Sequence, residues 1–191
     1  MELAFLDEIK DRLATDWHPV SKWALGAWLV FYGLFLWHAG TDADGFLLID
    51  HANLIVHEAG HLLFGWFGAT LGLWGGTLLE LLVPLALAFY FALQRHAAGT
   101  AFATFFFFEN FLYIARYMAN AQTQTLPLVT VGDPAAGGHD WFLIFSSLGV
   151  LSQDRLIARV VEALGWAGML ATVGWLIRCA QWKSGKKAYN G

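Results

Sequence analysis

The chain has a single cysteine, Cys179, in 191 residues. No disulfide can close within it, and a metal held by several thiolates is excluded, so any metal must be held by histidines and carboxylates. Charge is also scarce. Asp, Glu, Lys and Arg together make up 14% of the sequence, against about 25% in ordinary soluble domains. Eleven Lys and Arg against fifteen Asp and Glu leave a formal charge of -4. Without a basic patch, nucleic acid is not an expected partner. The one cluster of cations, Lys183, Lys186 and Lys187, reads as a cytoplasmic anchor rather than a binding surface.

What fills the chain instead is apolar. Hydrophobic residues are 58% of it and its mean hydropathy is +0.52, which places it among integral membrane proteins. Residues 1–21 mix charges with Leu3, Phe5, Leu6, Ile9 and Leu13 at helical spacing, and predict an amphipathic helix on the bilayer surface. Apolar segments follow at about 23–37, 46–67, 77–93, 100–118 and 160–179, with a shorter run at 141–151. A full crossing needs roughly 20 residues, so the short run is re-entrant or a small helix buried by its neighbours. Gly68, Gly72, Gly75 and Gly76 predict a turn between the second and third segments. The expected fold is therefore all-α: a polytopic transmembrane bundle of five to six segments over 22–182, with the interfacial helix before it and a cytoplasmic tail at 183–191. The cations Lys10, Arg12 and Lys22 on one side and the acidic loop 40–45 on the other predict both termini in the cytoplasm. The expected location is a bacterial inner (plasma) membrane.

The second segment carries His57-Glu58-Ala59-Gly60-His61. On a helix, residues four apart share a face, so His57 and His61 can offer imidazole nitrogens to one metal. Glu58, beside that face, can act as general base toward a water, whose pKa a zinc lowers to about 7. Ionisable side chains among Asn53-Leu54-Ile55-Val56 and Leu62-Leu63-Phe64 are expensive in hydrocarbon, which favours a functional site over a chance match. The bland alternative is a His/Glu cluster that only packs helices.

A catalytic zinc needs a third protein ligand and one open position. His139 and Asp140, at the head of the short apolar run, are the candidates, and the spacing does not choose between them. Asp140 can equally be the cap of the helix that follows, and Trp141 is placed to seal the site. His51 falls on a different face from His57, whereas Asp50 shares its face two turns away, which suits a supporting or surface role. Glu109, Asn110, Tyr113 and Arg116 form a second polar set, read as fixing the bundle, with Asn110 or Arg116 as alternative donors to an oxyanion. Glu80, near Pro84, belongs to the same class. His18, His38 and His96 are boundary histidines.

With Ile55-Val56-His57-Glu58-Ala59-Gly60-His61 in an apolar segment, small residues after it and an acidic residue heading a later segment, the chain resembles the site-2 protease family of intramembrane zinc metalloproteases. The resemblance implies one zinc per chain, His57 and His61 as ligands, Glu58 as the base, and Asp140 as the match for the family's distant aspartate. Gly138-His139-Asp140-Trp141 stands where that family has Asn-Pro-Asp-Gly or Leu-Asp-Gly. The implied activity is hydrolysis of peptide bonds in membrane-protein substrates. The alternatives are a non-catalytic subunit of a larger membrane complex that retains a structural metal site, and a haem- or pigment-binding protein using its histidines as axial ligands.

Overall fold

The computed structural model describes residues 7, 9, 10, 12, 14–42, 47, 49–126 and 139–189, with side chains as far as 181. Among the described residues from 22 onward, six α-helices follow one another: α1 (Lys22–Thr41), α2 (Asp50–Gly65), α3 (Ala69–Leu93), α4 (Ala97–Ala119), α5 (Asp140–Ser147) and, after a 3-10 turn at Leu151–Gln153, α6 (Asp154–Tyr189). Helices α1, α3 and α4, and the stretch Leu151–Gln181, are long and apolar enough to cross a bilayer. The protein is an all-α helical bundle of the integral membrane class. Of the predicted interfacial helix, residues 7, 9, 10, 12 and 14 are described and are helical. Residues 127–138, the greater part of a non-membrane stretch expected at about 119–138, and the side chains of the tail lie outside the described residues, although the backbone of α6 continues helically to Tyr189.

Burial is inverted relative to a soluble protein. Ile55, Trp66, Phe89 and Leu164 are exposed, whereas Asp50, His57, Glu80, Glu109, Asn110, His139 and Asp154 are buried. Lipid solvates the first set without cost, while the second must find partners inside the protein.

The chain divides into two compact units. The first comprises Asp42–Val83 and Phe107–Ala167. Its core joins Ile114, Ala115 and Met118 of α4 to Trp141, Ile144 and Phe145 of α5 and Ala158 of α6. Eight residues of α5 rise only about 12 Å, far short of a bilayer's hydrocarbon. The run at 141–151 is thus a small helix buried by its neighbours. Asp154, at the start of α6, accepts from the Gln122 N–H at 3.2 Å, the Gln122 side-chain amide at 2.8 Å and the Arg155 N–H at 2.6 Å. Those bonds tie the segment after α4 to the head of α6.

The predicted glycine-rich turn is mostly helix. Gly68 alone turns, at φ +112, while Gly72, Gly75 and Gly76 lie within α3. Composition pointed to a turn because glycine weakens helices. Here the glycines let two helix backbones touch: a Cβ at Gly60 would strike the Gly75 backbone, and one at Gly75 would strike Gly60. Small residues serve this close approach where lipid supplies no hydrophobic drive.

The second unit comprises Met1–Thr41, Pro84–Phe106 and Gly168–Gly191. Ser21 caps α1, its Oγ accepting the Ala24 N–H at 3.1 Å. The unit is held by rings: Tyr32 lies against Phe105 with centroids 4.6 Å apart, Phe35 meets Phe105 edge-on at 5.4 Å, and Trp17 meets Trp175 edge-on at 5.0 Å. Tilted and edge-on pairs of this kind add to plain area burial.

Candidate metal centre

The centre lies wholly within the first unit. Two turns of α2 present His57 and His61 on one face, with rings 4.7 Å apart. The first turn of α5 brings Asp140 to them. His57 Nε2 is 2.9 Å, and His61 Nε2 3.1 Å, from the same Asp140 oxygen, Oδ2. One ligand atom from each of the three residues lies within 4.8 Å of the other two, so the group can hold a metal ion.

The far sides of both rings decide what the near sides can do. His61 Nδ1 lies 2.7 Å from the Gly72 carbonyl, an acceptor in every state, so His61 donates from Nδ1. His57 Nδ1 lies 3.2 Å from Glu80 Oε1, within ion-pair distance, and neither His57 Nδ1 nor either Glu80 oxygen has a hydrogen-bond partner among the described residues. A neutral imidazole carries one N–H. Were that proton on Nδ1 in both rings, both Nε2 atoms would present lone pairs to a carboxylate oxygen. Three acceptors facing one another repel unless a metal ion or protons on the imidazoles stand among them. Ligating histidines are ordinarily held this way, with the second nitrogen donating to a carboxylate or a main-chain carbonyl. Around a four-coordinate ion with bonds of about 2.0–2.1 Å, ligand atoms would stand roughly 3.3 Å apart, near the 2.9 and 3.1 Å found here.

The centre is closed on one side and open on the other. The His57 side chain is 4% exposed, while His61 keeps 25% and Asp140 13%. The His61 and Asp140 side is therefore the more accessible one. Glu58 is half-buried and interacts electrostatically with Tyr113 and Tyr117 of α4. Tyr117 in turn touches the centre: its hydroxyl accepts the Asp140 N–H at 3.3 Å, and its ring lies 5.8 Å from His57 and 4.2 Å from His139.

His139 and Asp140 have divided roles. His139 is the cap of α5, its Nδ1 accepting the Phe142 N–H at 3.3 Å, and it stands outside the converging group. Asp140, in the first helical turn, is free to turn toward α2. Trp141 is buried against Trp74 and Phe145, at 5.6 and 5.1 Å, and belongs to the core beneath the centre.

Other expected residues fall into supporting positions. Asp50 is buried; it accepts the Leu47 N–H at 2.7 Å and contacts the Asn53 amide at 3.2 Å, and that amide also reaches Glu109 Oε2 at 3.3 Å. Arg116 interacts electrostatically with Asp50. Asn110 donates to the Glu80 carbonyl at 3.1 Å. His51 is exposed. In the other unit His96 Nδ1 accepts the Gly99 N–H at 2.9 Å, at the start of α4.

Glu80, Gly72 and Tyr117 are the residues that the motif alone does not reveal as parts of the centre. Tyr117 continues the i, i+4 stripe of Glu109 and Tyr113, a signal that was available. Gly72 acts through its carbonyl, which no side-chain pattern marks.

Two outcomes follow at this level. A Glu80→Gln variant is expected to bind the metal 10–100-fold more weakly, as loss of a supporting carboxylate typically does; competition with a chromophoric chelator measures this. A Gly76→Ala variant is expected to lose at least about tenfold in the same assay, because its methyl would stand 2.5 Å from His57 Nε2 and overpacking displaces side chains. Unchanged affinity in Gly76→Ala would show that the His57 ring can yield without losing the site.

Comparison of the chain with protein-family models, with curated proteins and with solved structures finds no match.

Proposed function

We propose that the protein is an intramembrane zinc metalloprotease that cleaves peptide bonds of membrane-protein substrates. The observation that carries the reading is the convergence of two imidazole Nε2 atoms on one Asp140 oxygen, with the outer nitrogen of each ring facing an acceptor. Two histidines, a carboxylate and an open side form the donor set of a catalytic zinc. A zinc held there would polarise the scissile carbonyl and lower the pKa of an attacking water to about 7.

The chain's own residues supply the rest. Glu58, next to His57 on α2, takes the proton of the attacking water and passes it to the departing amine. Glu80 and the Gly72 carbonyl hold the two imidazoles in orientation. The Tyr117 hydroxyl steadies the main chain at Asp140. The exposed apolar faces of the helices suit a protein that meets its substrate within the bilayer, where a substrate helix must unwind to expose a peptide bond.

The test is elemental analysis of protein purified in detergent without chelator, followed by incubation with a reporter bearing a single membrane-spanning helix. About one zinc per chain, and cleavage that 1,10-phenanthroline stops, is the expected result. Absence of any metal would overturn the centre itself. One metal per chain without cleavage of any helix-bearing reporter would overturn the protease and leave a metal-stapled membrane subunit.

A further inference from the structure

The second unit holds a feature unrelated to the metal centre. Where α3 ends, Arg95 adopts φ +53, in the left-handed region that glycine enters freely and other residues enter at about 1–2 kcal/mol. The hydrogen bonds there are those of an ordinary helix end: Arg95 N–H to the Ala92 carbonyl at 3.0 Å and His96 N–H to the Phe91 carbonyl at 2.9 Å. Glycine would make this turn with less strain. What arginine adds is its side chain, and that side chain is held in place. Its guanidinium carbon stands 4.1 Å over the Trp17 ring, and the Arg95 carbonyl accepts the His18 N–H at 2.7 Å. Its Nε is buried and has no hydrogen-bond partner among the described residues.

These contacts shape one wall of a cleft of about 450 Å³, lined by Arg12, Thr15, Asp16, His18, Gln94 and Arg95. The cleft lies at a definite level. Leu93 is the last residue of one membrane-crossing helix and Ala97 the first of the next, so the turn between them sits where hydrocarbon gives way to headgroups. Trp17 beside it is a residue type that favours this boundary. Two arginine forks offer the paired donors that match a phosphate. Thr15 and Gln94 add neutral polar groups. Asp16 supplies one negative charge in the same cleft, which disfavours a bare anion and favours a ligand that also carries a cation.

We propose that this cleft binds the headgroup of a phospholipid bearing both a phosphodiester and a primary ammonium, as phosphatidylethanolamine does. Arg12 and Arg95 take the phosphate, and Asp16 takes the ammonium. The acyl chains run along the apolar ends of the adjoining helices. The strained backbone at Arg95 is retained because the guanidinium is needed at this point, a pattern common where strain accompanies function.

The experiment uses the full chain, delipidated in detergent, and counts bound lipid by native mass spectrometry. It is titrated in parallel with short-chain phosphatidylethanolamine, phosphatidylglycerol and phosphatidylcholine, and separately with inorganic phosphate. The expected result is one phosphatidylethanolamine per chain, held at least tenfold more tightly than phosphatidylcholine, whose quaternary ammonium has no N–H for Asp16. Arg95→Gly is the decisive variant because it relieves the strained turn and should fold at least as well as the wild type. It is expected to lose at least tenfold in phosphatidylethanolamine affinity with its metal content unchanged. Equal binding by Arg95→Gly, or equal binding of all three lipids, would overturn the site. Tighter binding of phosphatidylglycerol would overturn the role given to Asp16. Saturation by inorganic phosphate alone would replace the lipid with a free anion.

Discussion

An Asp140→Asn variant should lose the metal and yet, compared metal-free, unfold no earlier than the wild type and by several degrees later. The loss follows from removing one of three protein ligands. Zinc in small protein sites is worth about 10–16 kcal/mol. Shared over the ligands, that is several kcal/mol each, or on the order of a thousandfold in affinity. The gain follows from the geometry. Asp140 Oδ2 faces His57 Nε2 at 2.9 Å and His61 Nε2 at 3.1 Å, and without a metal these acceptors must recruit protons or repel. An asparagine amide at the same place donates an N–H to an imidazole nitrogen and carries no charge. Relieving a buried unsatisfied group is worth about 1–3 kcal/mol. In a chain of this size each kcal/mol moves the melting temperature by about 2–4 °C. Elemental analysis and a thermal melt in detergent, on protein stripped of metal, measure both halves. An earlier melt for metal-free Asp140→Asn would show that the carboxylate stabilises the centre without a metal, and would remove the argument that the three residues require a cation.

The second large effect is the reverse: Glu58→Gln should keep the metal and lose turnover. Glu58 is not in the converging group, and the glutamine has nearly the same shape, so about one metal per chain is expected, as in the wild type. Positioned general acid–base groups contribute about 10²–10⁴-fold, and cleavage of the membrane reporter should fall by that factor. Comparing the two variants separates holding the metal from using it. Glu58→Gln protein that cleaves at the wild-type rate would mean that another group takes the proton, and the role assigned to Glu58 would fall.

The sequence carried the apolar character, the helical class and the pairing of His57 with His61, because these depend on composition and on the 3.6-residue repeat alone. It did not decide between His139 and Asp140, since both are ligand types and they adjoin. The rule that aspartate prefers the cap position pointed the other way from what is found. His139, at φ -71 and ψ 111, turns its own ring nitrogen back onto the Phe142 N–H, which leaves Asp140 available to α2. The glycines at 72, 75 and 76 misled for a related reason: their local preference is for turns, but close tertiary contacts with Gly65, Gly60 and His57 respectively go with a helix there. Glu80 was visible only as an ionisable residue near a proline. Its role depends on the pairing of α2 with α3, which no local pattern encodes.

Pro84 gives that pairing a further property. A proline within a helix has no N–H, so the carbonyl four residues earlier is left without its helical partner. Here that carbonyl belongs to Glu80, and Asn110 of α4 donates to it at 3.1 Å. Residue 80 is thus joined to two neighbours by different atoms: to α4 through its main chain and to His57 through its carboxylate. The two attachments can be edited separately. Substitution at position 80 changes what His57 feels without removing the main-chain bond to α4, whereas Asn110→Leu removes that bond with the carboxylate chemically intact. Selection could therefore retune the imidazole without renegotiating the architecture around it.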